Sequence, residues 1–206
     1  MFVRIVTVVV ALLVSAGGHA AELKFNVHSF GMSRVSFTSD AMLETIVGTT
    51  SKVSGSLTID PKKPATTVKG QIVVDAATFR TGIDMRDAHL RSAKFLDAKT
   101  HPKATFSIEK VVGRGALVPG KKLKGTVHGT LTIKGVSKTI KVPIVVAFYK
   151  WTPELKNFKV FGDLLRIKAS FPIKVADYGV KVPSVLGKKV AQSVMINLNI
   201  TAVQAK

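Results

Sequence analysis

Cysteine is absent from the 206 residues. An exported chain of this composition therefore uses neither disulfides nor thiolate metal sites, and has no cysteine to carry a lipid anchor. Amphipathic aromatics are scarce, with one tryptophan and two tyrosines, too few for the two interfacial girdles of a membrane-spanning β-barrel. Acids number 12 against 31 lysines and arginines, leaving a formal net charge of +19. So one-sided a balance invites anionic partners. Long hydrophobic runs are also missing: the run from Ile5 to Val14 is ten residues, short of the roughly 20 that a transmembrane helix needs.

That run does have a meaning. It follows Arg4 and leads into small residues ending Gly18-His19-Ala20, the pattern of a secretory signal cleaved after Ala20. The expected mature chain, residues 21–206, is one domain in size and large enough to bury a core without staples. Its charge falls only to +18, because Arg4 is the one charged side chain in residues 1–20. Nucleic acid is not an expected partner, since there is no helix-turn-helix, no aromatic RNA-reading strand motif and no zinc spacing. Export to the periplasm or beyond points instead to anionic headgroups or envelope polymers. The plain alternative is a solvated lysine surface that serves solubility.

Strand periodicity dominates the rest. From Lys122 to Ile133 the odd positions are Leu123, Gly125, Val127, Gly129, Leu131 and Ile133, and the even ones are lysine, threonine and histidine. One face is apolar and the other wet. The alternation recurs at Leu165, Ile167, Ala169, Phe171, Ile173 and Val175, and again at Val190, Val194, Ile196, Leu198 and Ile200. Shorter versions run through Val53, Leu57 and Ile59; through Val68, Ile72 and Val74; through Ala104, Phe106 and Ile108; and from Ile140 to Phe148. Val35 and Phe37 fit a first strand. Turn-forming clusters separate these runs, among them Asp60-Pro61, Gly113-Arg114-Gly115, Pro119-Gly120 and Lys134-Gly135. The pattern predicts an all-β chain, a sandwich or a closed antiparallel barrel. Strands of about 40 Å, tilted by the usual ~40°, make a barrel roughly 30 Å tall.

Two segments break the alternation. Residues 84–93 are predicted to form a short helix, with Asp84 as its cap and neither proline, glycine nor a β-branched residue from Met85 to Lys94. Residues 176–189 read as a loop or a broken turn. Either segment fits over a barrel mouth.

Catalytic chemistry finds little support. His28, His89, His101 and His128 have no partner at a metal-ligand spacing, so no metal site is expected. Asp87 and His89 diverge on a helix and cannot share a proton. There is no Gly-x-Ser-x-Gly elbow and no nucleotide-binding glycine loop. Small residues on the apolar face, Gly125, Gly129 and Ala169, leave space that branched side chains would otherwise fill, and a long void is costly unless a ligand occupies it.

Arg86-Asp87, His89-Leu90, Phe95 with Asp97, and His101-Pro102 followed by Ala104-Thr105-Phe106 resemble the signature of the YceI-like family of periplasmic polyisoprenoid-binding proteins. Gly129-Thr130-Leu131-Thr132-Ile133-Lys134-Gly135-Val136-Ser137-Lys138 is similar to the family's glycine-rich strand and turn, with Lys134 where histidine is common. Asp177-Tyr178-Gly179-Val180 resembles its late Asp-aromatic-Gly element, although Val175 and Ala176 stand where arginine and serine are usual. The match at His28-Ser29 is loose. The resemblance implies a lipocalin-like barrel of about eight strands with a helical cap. It implies no cofactor and no enzyme, but a bound polyprenyl-type lipid, quinone or fatty amide, and it leaves a homodimer open.

On that reading the strands offer Phe106, Ile108, Val127, Gly129 and Leu131 to the cavity, with Ile144, Val146, Ala169 and Phe171 across from them. Val194, Ile196 and Leu198 complete the wall, and Phe79, Leu90 and Phe95 close it near the helix. Arg86, Asp87 and His89 are rim or headgroup candidates, though hydrogen bonds from Arg86, Asp87 and Arg91 that fix the helix to the rim are the favoured reading of that cluster. A different class of function, a structural or stress-related envelope protein with a side-chain-filled barrel, would act through the basic exterior alone. Lys122, Lys124, Lys168 and Lys174 face outward in either case, available for weak contact with an anionic membrane.

Overall fold

A computed structural model describes residues 22–28 and 31–205. The signal peptide expected over residues 1–20 lies outside the described residues. Among the latter, strands run in the order β1 (Leu23–Val27), β2 (Arg34–Asp40), β3 (Thr45–Thr50), β4 (Val53–Ile59), β5 (Lys69–Asp75), β6 (Lys103–Val112), β7 (Lys122–Ile133), β8 (Val136–Tyr149), β9 (Leu164–Lys174) and β10 (Ser193–Gln204). Every pairing between these strands is antiparallel.

Closure depends on two broken walls. β1 and β2 lie end to end along one edge of β10, with Val27 opposite Ala202 and Val35 opposite Leu198. Beyond them β4 pairs with β1 and β3 with β2, so these too form one wall. The ten strands thus make a closed barrel of eight walls, with no free sheet edge along the β1–β4 seam. Val35 and Phe37 belong to β2, the second half of the wall that β1 opens, rather than to the first strand. Val68 and Val190 fall just outside β5 and β10, and Val175 begins a 3-10 turn.

Inward side chains follow the period-2 pattern. Phe25 meets Phe148 edge to face at 6.4 Å between ring centres, packed with Leu57, Leu165 and Ala202. A second cluster gathers Val27, Val53, Val74, Phe79 and Ile200, and a third Leu131, Val142, Phe171 and Tyr178.

Helices are short. α1 (Pro64–Thr67) follows β4, and α2 (Asp84–Arg91) lies within the residues predicted to be helical. Asp84 is not its cap: Ile83 holds that position without a side-chain bond. Asp84 and Asp87 sit in the first turn and His89 and Arg91 in the last, the placement the helix dipole favours. The 176–189 segment contains 3-10 turns at Val175–Tyr178 and Ser184–Leu186. One end of the barrel therefore carries the β2–β3 hairpin, α2, the β7–β8 turn and the 175–192 segment. The opposite end carries α1, the loop 113–121 and the connection 150–163.

Candidate functional site

The barrel encloses a cavity of about 560 Å³ that runs from Phe37, Glu44 and Arg86 at the α2 end to Val68 and Leu117 at the other. Phe106 and Ile108 of β6 line it, as do Val127 and Leu131 of β7 and Ile144 and Val146 of β8. Ala169 and Phe171 of β9 and Val194, Ile196 and Leu198 of β10 complete that side, while Phe79, Leu90 and Phe95 reach it near α2. Such a volume, almost wholly apolar, is what a pocket for an elongated hydrophobic molecule requires.

Gly129 does not contribute as expected. A Cβ there would lie 2.3 Å from the Ser107 carbonyl oxygen and 2.7 Å from the Phe106 ring, so that ring already fills the space the glycine leaves. Gly125 and Ala169 do border the cavity. Val35, Leu57, Ile59, Ile72 and Val74, strand residues beyond those expected as lining, add a further wall to the cavity. Leu117 closes the opposite end from inside a loop, where its N–H donates to the Pro61 carbonyl at 2.7 Å.

At the α2 end most polar groups are engaged within the protein. Asp87, 1% exposed, accepts both the N–H and the hydroxyl of Thr81 through Oδ1 at 2.7 Å, and Arg80 approaches its Oδ2 at 3.8 Å. Burial pushes its carboxyl up, but the Thr81 bonds and the Arg80 and Arg91 cations outweigh this and hold it below its ordinary value. Asp87 is therefore an ionised anchor turned away from the cavity. Arg86 donates to the Thr81 hydroxyl at 2.9 Å and carbonyl at 3.1 Å and pairs with Glu44, tying α2 to the start of β3. Arg91 reaches the Phe79 carbonyl at 3.5 Å. Of the three rim candidates, Arg86 and His89 border the cavity and Asp87 does not.

The motifs of the β7–β8 turn and of residues 92–101 and 177–180 meet at this same end. Asp97 takes a left-handed conformation, φ 47°, and its carbonyl accepts from the N–H of His101 at 2.8 Å. The His101 ring packs over Gly135, where a Cβ would come within 2.7 Å of it. Lys134 Nζ donates to the Ala93 carbonyl at 2.7 Å and the Gly179 carbonyl at 3.3 Å, joining the turn to the end of the helical segment and to Asp177-Tyr178-Gly179-Val180. These residues build a mouth; no His, Cys, Asp and Glu cluster fit for a metal exists among the described residues.

Tyr178 borders the cavity at 2% exposure, and its hydroxyl has no hydrogen-bond partner. Burial, then the Asp177 charge, pushes its pKa up, so it stays neutral. Tyr178→Phe should consequently leave stability unchanged or raise it by about 1 kcal/mol, since the orphaned hydroxyl only costs desolvation. Urea unfolding of the two proteins measures this, and a loss above 1 kcal/mol would mean the hydroxyl has a partner in solution.

A closed antiparallel barrel of eight walls around an apolar channel is lipocalin-like in architecture. The YceI-like domain model matches residues 25–202. With nearly the whole barrel inside that match, the chain belongs to the YceI-like family. Among its relatives, a UPF0312 protein of Pectobacterium carotovorum is 33% identical over 137 residues, which are 65% of this chain and 66% of that protein. Protein YceI of Escherichia coli is 28% identical over 203 residues, covering 95% of this chain and 94% of its own. Among solved structures, BcnA of Burkholderia cenocepacia superposes with a TM-score of 0.65 at 28% identity, over 83% of this chain and 96% of that one. A polyisoprenoid binding domain from Saccharophagus degradans, implicated in plant cell wall breakdown, shares the fold with a TM-score of 0.67 at 18% identity, over 89% of this chain and 99% of its own.

Proposed function

We propose that this protein is an exported carrier, periplasmic or secreted, that holds the hydrocarbon tail of an isoprenoid, a quinone or a fatty amide along the barrel axis. The observation that carries the proposal is the continuous apolar cavity from Arg86 to Leu117. Membership in the YceI-like family and the shared fold with a polyisoprenoid binding domain support the same reading. No polar group inside the channel is needed for affinity, because each methylene withdrawn from water yields about 0.8 kcal/mol. Binding rather than catalysis is what this chemistry suits.

Chain length is then the main determinant of affinity. In a series of alcohols or amides displacing a fluorescent apolar probe, each added methylene should tighten binding by up to about fourfold until the cavity is filled. Affinity should level off beyond that length. A series in which length has no effect, or in which the probe never enters, would leave the barrel as a structural element acting through its basic surface.

A further inference from the structure

We propose that the end of the barrel opposite α2 is a docking surface for anionic lipid bilayers. The connection 150–163 does not loop into solvent but folds back over the outer face of β8 and β9. Trp151 donates from Nε1 to the Val160 carbonyl and from its backbone N–H to Asp163, both at 2.9 Å, and Lys150 pairs with Asp163 at 2.7 Å. Val160 is buried by this arrangement while Phe158 stays 62% exposed on a pinned 3-10 turn, Pro153–Phe158. A fixed, exposed phenylalanine is costly in water and favourable at a lipid interface.

Cations surround it. Phe158 and Tyr149 border an open depression of about 470 Å³ on the outer face that Lys122, Arg166 and Lys168 also line, and no acid lines it. Lys121 and Lys156 extend the charge along the loop 113–121 and the connection, where the acids are Glu154 and the paired Asp163. Acidic headgroups and buried acyl chain beginnings would answer both halves of this surface. A soluble anionic polymer would answer the lysines and leave Phe158 and Tyr149 unused. The α2 end exposes more apolar residues, Met42, Leu43, Ile83, Met85 and Val185, but there Asp40, Glu44, Asp84, Asp97 and Asp177 interleave with the cations. Charge therefore selects the opposite end.

This surface goes beyond the carrier reading, because docking does not require an occupied cavity. The test is co-sedimentation of the whole chain with phosphatidylglycerol-containing and with pure phosphatidylcholine vesicles at low and high salt. Charge reversal at Lys121→Glu with Lys122→Glu should weaken binding to the anionic vesicles by at least about tenfold, and Phe158→Ser by about threefold. Lys94→Glu with Lys99→Glu, exposed at the α2 end and outside the cavity lining, should change it by less than about twofold; salt should weaken the wild type, since screening acts within about 8 Å. Uptake of an apolar probe should be the same in all variants, so a failed docking surface is distinguishable from a failed carrier. Equal losses from the two lysine pairs, no loss from Phe158→Ser, or equal competition by soluble polyphosphate would each overturn the proposal.

Discussion

Asp87→Ala should destabilise the protein by about 3 kcal/mol and loosen the α2 end before the rest of the barrel. The carboxylate is buried, takes two hydrogen bonds from Thr81, and faces Arg80 and Arg91. Its removal strands a buried N–H and hydroxyl together with uncompensated positive charge, and breaking one side of such an arrangement typically costs 3–5 kcal/mol when fully buried. Partial exposure of Arg80 places the value near the lower bound. The pH dependence has a definite sign. Because the folded carboxyl is held below its ordinary 3.8, its stabilisation is complete above that pH and is lost as pH falls below it. Denaturation midpoints of wild type and Asp87→Asn should therefore differ most at neutral pH and converge below pH 3.8. A gap that does not narrow would mean that the ionised carboxylate contributes nothing.

Ala169→Phe should abolish most ligand uptake while leaving the fold nearly intact. Ala169 lies between Ile144 of β8 and Leu198 of β10, and all three border the cavity. A new ring there projects into open volume, so apparent affinity for a long-chain ligand should fall at least about tenfold, equivalent to roughly 1.4 kcal/mol. Thermal unfolding should shift by no more than about 3 °C. In a filled core the same ring would force strained rotamers and cost about 1–3 kcal/mol. Severe destabilisation, with no ligand bound by the parent protein, would describe a solid barrel.

The long strands were legible because their alternation is uninterrupted: Leu123 to Ile133 and Leu165 to Ile173 each place apolar residues on one face. β3 was not, because Gly48 stands where the pattern wants a side chain and the Phe37 ring from β2 covers it, 2.2 Å from where a Cβ would be. The same substitution of one strand's ring for another's missing side chain misled the reading of Gly129. Periodicity reports which face a residue is on; it does not report whether a neighbouring aromatic has taken the space. Leu117 lay in a loop with no periodicity to place it, and the fold-back of residues 150–163 depends on hydrogen bonds from Trp151 and Lys150 that no local pattern encodes. The helical segment was legible from what it lacks, yet its attachment through Asp87 and Thr81 became visible only in three dimensions.

Extraction and mass spectrometry of whatever accompanies the protein when it is purified from its own host test the central claim most directly. A carrier should yield one class of long-chain lipid, an isoprenoid, a quinone or a fatty amide, in near-stoichiometric amount, and the Ala169→Phe variant prepared in parallel should yield almost none. Protein that carries no lipid above the level of that variant, and that takes up no added chain, would contradict the carrier reading.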